Sequence, residues 1–377
     1  MAGQDREAVT MNIEAYLFHG PGQPLSLETI EICDPAPGEL LVKLVGTGIC
    51  HTDVSMTAGR RDWGAPTVLG HEGAGHVVAI GEGVEDFAVG DAVVLSFRSC
   101  GECPVCDSGH PGYCDEISDL NFSGKRRDGT TPLSRDGKPV MGQFFGQSSF
   151  ATHSIVHASA AVKVDPSLPL ELLGPLACGI QTGAGAVINV LKPDAGKAFA
   201  LFGAGSVGLS GLMAAKMLGC DPIIAVDVMP ERREAALRFG ATHAIDPLAE
   251  DPVAAIKAIT GGRGAAYSFD ATSKSAVLAQ AFLCLDSFGR CAYVGAHETP
   301  DVALNSHRFM RGCTLHGVME GDSRPRDFIP ELIGYWQAGR LPFDQMVSFY
   351  PFSELDRAVA DMNSGRAVKP ILRFDAA

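Results

Sequence analysis

Four cysteines crowd one short stretch, CGECPVCDSGHPGYC, at Cys100, Cys103, Cys106 and Cys114. Their spacings of 3, 3 and 8 residues put four thiolates in one loop, the donor set of a tetrahedral structural zinc site. There the metal replaces a hydrophobic core that so small a lobe cannot build. An iron–sulfur cluster also takes four cysteines, but the nearest bacterial spacing differs in its last interval and ends in Cys-Pro.

A second donor set is dispersed. Cys50 lies in TGICHTDVSM, His71 in LGHEGAGHVV and Cys178 in PLACGIQTGAGAV, separated by 21 and 107 residues. Two thiolates and an imidazole would leave a tetrahedral zinc with an open fourth position, as catalysis requires. No local zinc signature has these separations, and lone cysteines and histidines are usually just packed. What the three share is glycine-rich surroundings and company with a dinucleotide motif.

That motif is LFGAGSVGLSG, in which Gly203, Gly205 and Gly208 fit G-x-G-x-x-G. It follows an apolar run and opens a helix-like one, the context that gives the pattern meaning. The first glycine permits the tight turn, the second lets the backbone approach a pyrophosphate, and the third lets helix and strand pack closely. The next strand ends at Asp227, whose carboxylate would accept ribose hydroxyls and repel a 2′-phosphate, favouring NAD over NADP. Arg232 and Arg233 follow closely and would soften that bias.

The elements that must hold these residues differ between the two halves of the 377-residue chain, a length that implies two domains. Up to residue 179 the sequence reads as β-rich: ELLVKLVGTGI, AGHVVAIGEGV and GDAVVLSF are short apolar runs broken by Gly and Asp. DPAPGE, at 34–39, is a turn. From 180 to 320, apolar runs at 198–202, 223–227, 243–246, 266–270, 291–295 and 313–319 alternate with stretches of helical periodicity. Runs bounded by helices imply buried parallel strands in a doubly wound α/β sheet. Residues 321–377 return to mixed character and end on KPILRF, a strand.

Acidic residues number 44 against 30 Lys and Arg, a net charge of -14, which disfavours nucleic acid or an anionic membrane as partner. The N-terminus lacks the pattern of a secretory signal, and no run approaches a membrane span. Eleven cysteines in such a chain point to a reducing cytoplasm and to metal ligands, not disulfides.

Taken together, GHEGAGHVV, GICHTD, the four-cysteine loop, ACGIQTGAGAV and GAGSVG resemble the zinc-dependent medium-chain alcohol dehydrogenases, from about residue 12 to the C-terminus. LNFSGKRRDGTTPL and FFGQSSFATHS resemble its aryl-alcohol (benzyl alcohol) branch, whose relatives include terpene alcohol dehydrogenases. The resemblance implies a GroES-like catalytic domain over 1–179, with a structural-zinc lobe at about 97–116, and a Rossmann NAD-binding domain over 180–320. Residues 321–377 would return to the catalytic domain. It implies catalytic zinc on Cys50, His71 and Cys178, with Asp53 hydrogen-bonded to the His71 ring and Glu72 near the metal, assisting ligand exchange. NAD contacts would come from His51, Thr182, Gly203, Gly205, Ser206, Val207, Gly208, Asp227, Arg232, Val294, Ala296 and Lys369.

The implied reaction is reversible oxidation of a primary alcohol to the aldehyde, with hydride passed to NAD. Zinc would lower the hydroxyl pKa and Thr52 would accept the proton. Many members place a histidine five residues after the first ligand to carry that proton out; Ser55 stands here, so the proton would leave through the cofactor ribose or to His51. Some relatives carry arginine at the positions of His51 and Lys369, both expected at cofactor phosphate; weaker partners there imply looser NAD binding. Trp63, Phe97, Phe144 and Phe145 would wall an apolar, aromatic pocket.

Two other functions compete. Oxidation of S-(hydroxymethyl)glutathione would want basic residues at the pocket mouth, which Arg60 and Arg61 could supply. A non-catalytic NAD-binding redox sensor is opposed by the intact ligand set and Thr52, as is a zinc-free quinone reductase. A homodimer, or a tetramer, would form through an edge strand at CTLHGVM.

Overall fold

A computed structural model describes residues 10–64, 66–295 and 301–374. Ala296, one expected cofactor contact, lies outside them, as does the side chain of Arg60. The chain divides into two compact units. One comprises Met1–Cys178, Ser348–Asp361 and Lys369–Ala377; the other comprises Gly179–Val347 and Met362–Val368.

The first unit is built on antiparallel sheets. The longest strand, Glu39–Gly48, pairs with Gly73–Ile80, with His153–His157 and with Lys369–Arg373. Its alternation explains its place: Leu40, Val42 and Leu44 point into a core with Val77, Val93, Leu95 and Val156, while Lys43 faces out. Lys369–Arg373 is the strand expected from KPILRF; it carries the far end of the chain beside the start of the Cys50 loop. A second sheet joins Thr10–Phe18 to Ser26–Cys33 and, across it, to Leu133–Arg135.

The second unit holds one six-stranded parallel sheet. In spatial order its strands are His243–Ile245, Ile223–Val226, Phe199–Phe202, Ala265–Asp270, Leu285–Tyr293 and Thr314–Gly317. In sequence order this is 3-2-1-4-5-6, with the order reversing at Phe199–Phe202, where doubly wound sheets bind ligands. The helices Ser206–Met217, Pro230–Phe239, Pro252–Ile259 and Ser275–Leu283 connect the first five strands. Phe202, Ile224, Val226, Ile256 and Phe282 are buried between helices and sheet, so the strands read as unbroken apolar runs.

The second compact unit continues past residue 320. The helix Pro325–Gln337 belongs to the second unit, burying Phe328, Ile329, Leu332 and Ile333 and packing on the helix Gly179–Gly185. Its apolar face therefore extends that unit to Val347, and the return to the first unit begins at Ser348. Among the described residues no single helix is long and apolar enough to cross a membrane.

Candidate active site and metal centres

Cys50 ends the turn after the central strand and caps the short helix His51–Ser55. Asp53, third in that helix, reaches back so that Cys50 N–H donates to its Oδ2 at 3.0 Å. Its other oxygen accepts from His71 Nδ1 at 2.8 Å and from Gly70 N–H at 3.1 Å. One buried carboxylate thus closes the helix and fixes the histidine ring, leaving His71 Nε2 as the nitrogen that faces the cysteines. That Nε2 is buried and has no hydrogen-bond partner. Burial works against a charge on His71, but Asp53 beside it raises its pKa well above the usual value. Hydrogen bonding from Cys178 pulls Cys50 well below the ordinary thiol range, with His71 and Lys369 adding to the effect against burial.

Donor atoms of Cys50, His71, Glu72 and Cys178 all lie within 4.8 Å of one another. A buried nitrogen without a partner, next to two thiols, fits a zinc ion held by Cys50, His71 and Cys178. The Cys50 thiol donates to Thr52 Oγ1 at 3.6 Å, so the threonine hydroxyl sits against this cluster. Ser55 Oγ instead donates to the Thr52 carbonyl at 2.8 Å, and His51 is exposed at the first helical position.

Aromatic rings cover one side of His71. Phe145 stacks on it at 4.3 Å and Phe144 meets it edge-on at 5.6 Å. Trp63 packs on Phe144, and its indole N–H donates to the Phe122 carbonyl at 2.9 Å. Phe122, 5.0 Å from Phe145, completes the group and was not anticipated, although it lies within the LNFSGKRRDGTTPL stretch. Phe97 is buried but stands outside this ring cluster. Phe145 adopts a left-handed backbone, φ 50° and ψ 33°, unusual for a bulky residue. The loop is held there by buried polar side chains: Ser148 Oγ donates to Val68 O at 2.6 Å, and Gln147 Oε1 accepts from Gly73 N–H at 3.1 Å.

Lys369, which the resemblance puts at cofactor phosphate, has a buried ammonium that donates to Glu72 Oε1 and Oε2 at 2.7 Å each and to Ile49 O at 3.1 Å. Burial disfavours its charge, yet Glu72 and the two ligand thiols keep its pKa above that of an ordinary lysine.

The four-cysteine lobe is self-contained. The helix Pro104–Asp107 and the turn Pro111–Tyr113 fold the loop so that all four sulfurs lie within 4.8 Å of one another. Sulfurs bound at about 2.3 Å around one tetrahedral zinc stand about 3.8 Å apart. The Cys100 and Cys106 sulfurs are 3.8 Å apart. Backbone N–H groups point at sulfur throughout: Cys103 N to Cys100 Sγ at 3.3 Å, Cys106 N to Cys103 Sγ at 3.4 Å, Cys100 N to Cys114 Sγ at 3.3 Å. Such donors, from Asp115 and Cys106, lower the Cys103 pKa to about 7, while burial pushes Cys114 up to about 12. None of the eleven cysteines forms a disulfide.

In the second unit the glycine loop is shaped for a dinucleotide. Gly203 has φ 89°, and a Cβ on Gly208 would fall 1.9 Å from the Gly203 carbonyl oxygen. At Gly205 a Cβ would meet nothing within 4 Å, so this backbone borders open space at the N-terminus of the helix Ser206–Met217. Ser206 and Val207 are half-buried on the same turn. Asp227 reaches the loop, its Oδ2 accepting from Ala204 N–H at 2.7 Å. Arg233 is occupied by the Asp227 carbonyl at 2.8 Å and by Asp246 at 3.0 Å, which removes it as a partner for a 2′-phosphate. Arg232 is half-buried beside it. Thr182 lies on the helix Gly179–Gly185, and Val294 is buried at the end of the fifth strand.

Comparison with known proteins agrees with both halves. Residues 36–166 match the alcohol dehydrogenase GroES-like domain and residues 206–334 the zinc-binding dehydrogenase domain. A geraniol dehydrogenase of Castellaniella defragrans is 44% identical over 368 residues, 97% of this chain and 98% of that protein. The crystal structure of benzyl alcohol dehydrogenase from Acinetobacter calcoaceticus superposes with a TM-score of 0.93 at 42% identity, covering 97% of this chain and all of that one (100%). An alcohol dehydrogenase zinc-binding domain protein from Burkholderia ambifaria gives 0.94 at 45% identity, over 98% and 100% of the two chains. Identity at this level along nearly the full length of both partners shows more than a shared fold: the chain belongs to the zinc-dependent, NAD-using alcohol dehydrogenases.

Proposed function

We propose that this alcohol dehydrogenase oxidises primary alcohols whose carbinol carbon is attached to an aromatic ring or a double bond, and reduces the matching aldehydes. The observation that carries this is the ring cluster on His71. Phe144 and Phe145 lie directly on the His71 ring, backed by Phe122 and Trp63, so one side of this ligand is walled by aromatic rings. Edge and face contacts there favour a flat conjugated group over ethanol or a polyol. The geraniol and benzyl alcohol dehydrogenases among its relatives support the same class.

When bound, zinc on Cys50, His71 and Cys178 supplies Lewis-acid polarisation of the alcohol, and NAD on the glycine loop supplies the hydride acceptor. Thr52 accepts the alcohol proton at Oγ1, beside Cys50. Ser55 does not pass it on: its own proton is committed to the Thr52 carbonyl, and a hydroxyl holds no second proton near neutral pH. The proton would therefore leave to His51, which is exposed, or to hydroxyls that a bound cofactor would supply. Asp53 holds His71 in one tautomer throughout.

A panel of benzyl alcohol, cinnamyl alcohol, geraniol and ethanol, with NAD and with NADP, tests the reading. The aromatic and allylic alcohols should lead by kcat/KM, with NAD preferred. Ethanol leading the panel, or activity confined to S-(hydroxymethyl)glutathione, would refute it. We also place the enzyme in the cytoplasm as a homodimer. Thr314–Gly317 is an edge strand, and Phe288 and Met310, 82% and 84% exposed, lie near it, support for pairing of two such edges.

A further inference from the structure

Asn121 is a buried polar side chain, 1% exposed, in the short helix Ile117–Phe122. Its amide is engaged on both sides. Oδ1 accepts from Arg98 N–H at 2.9 Å, and Nδ2 donates to Arg98 O and to Ile117 O, each at 2.8 Å. The two bonds to Arg98 take both its N–H and its C=O, as a neighbouring strand would. The third closes the helix on itself, four residues back.

This clamp joins three pieces of chain. Arg98 follows the buried Phe97 and stands two residues before Cys100. Its side chain lies against the turn that carries Phe144 and Phe145: a Cβ on Gly146 would stand 3.1 Å from Arg98 Cβ. The helix itself starts from the four-cysteine lobe, Ile117 N–H donating to Cys114 O at 2.9 Å. It ends at Phe122, whose ring meets Phe145 at 5.0 Å and Phe144 at 6.0 Å, and whose carbonyl accepts from the Trp63 indole. Ring contacts of this kind depend on angle and separation, and so short a helix has too few internal bonds to hold its own end in place. Asn121 supplies the fixed point.

We infer that Asn121 is a positioning residue for substrate selectivity: by clamping the Arg98 peptide it fixes Phe122 against Phe144 and Phe145, and with them the fit of a flat alcohol. The inference rests on Phe144 and Phe145 as the surface that receives the alcohol. An asparagine that only tied the helix down would, when lost, slow every alcohol alike. A positioning one spares the small alcohol, which does not use the wall.

The test uses the full-length enzyme carrying Asn121→Ser, in which the serine hydroxyl can still reach the carbonyl four residues back but not Arg98. Its kcat/KM for benzyl alcohol should fall about tenfold, chiefly through KM, while that for ethanol stays within about threefold of the parent. Trp63 and Trp336 are the only tryptophans, so in a Trp336→Phe background the emission reports Trp63 alone. That emission should shift when Asn121→Ser is added, whichever alcohol the parent prefers. An equal fall on both alcohols, or unchanged Trp63 emission, overturns the inference. A parent that prefers ethanol fails the substrate reading alone, and the Trp63 emission then decides on Asn121. Where Asn121→Ser does not fold, hydrogen exchange in the parent decides. NADH with benzyl alcohol, a pair that cannot react, should slow exchange at Arg98 N–H more than NADH with ethanol does; equal protection overturns the inference.

Discussion

The four-cysteine lobe takes every donor from residues 100–114, whereas the Cys50–His71–Cys178 cluster collects its donors from three distant stretches of the first unit. In the lobe, the backbone N–H groups of the loop itself point at its sulfurs. In the cluster two of the donors are steadied from elsewhere: His71 by Asp53, and Glu72 by Lys369 across nearly 300 residues of sequence. A local site depends on a few adjacent turns. A dispersed one depends on strand register, so it should be the more easily disturbed from a distance while contributing less to stability.

The sharpest way to break that comparison is to remove one donor from each site. Cys50→Ser should lower kcat/KM about a thousandfold or more, since a Lewis acid contributes several kcal/mol to the transition state. One zinc should be lost while the thermal midpoint moves little. Simultaneous loss of both zincs would mean the sites are not independent. Cys103→Ser should do the reverse, removing the other zinc and costing on the order of 5 kcal/mol of stability, because metal binding there is folding energy. Calorimetry and metal analysis separate the two.

Smaller lesions sharpen the contrast. Asp53→Asn keeps the shape but weakens the grip on His71, and kcat/KM or zinc affinity should fall about 10- to 100-fold. Parent-like metal retention would remove Asp53 from the role given to it. Gly48→Ala puts a methyl where the Glu72 carboxylate stands and should cost about 1–3 kcal/mol in denaturant unfolding. Arg127 bonds Glu102, inside the lobe, and Glu116, just after it, but all three are substantially exposed. Arg127→Ala should therefore change stability by less than about 1 kcal/mol. A larger drop would show that the lobe leans on the 126–132 segment after all.

What could be read in advance follows the same divide. The parallel sheet was legible because strands buried on both faces are continuous apolar runs; each observed strand overlaps its expected run, although Leu285–Tyr293 begins well ahead of the expected 291–295. The glycine loop was legible because Gly203 takes a positive φ and Gly208 has no room for a Cβ, while Gly205 borders open space. The left-handed Phe145 had no signal in composition, since the local preference of phenylalanine argues against it. It is imposed by Ser148 and Gln147, which anchor the loop to strands elsewhere in the chain. Phe122 has no periodicity that marks it; it becomes part of the site only because the Trp63 indole reaches its carbonyl.

The sequence by itself determined the chemistry available: four cysteines at zinc spacing, a dinucleotide loop ending in an acid, and enough resemblance to name the ligands of a second zinc. Only the tertiary structure decided where charge is spent. Lys369 resembles a phosphate contact by position, yet strand pairing brings it to Ile49 and Glu72, and buried carboxylate oxygens claim the donors that solvent-facing phosphate would have used. A buried ammonium must satisfy every proton at once, and which oxygens are in reach is a property of register, which no local pattern records.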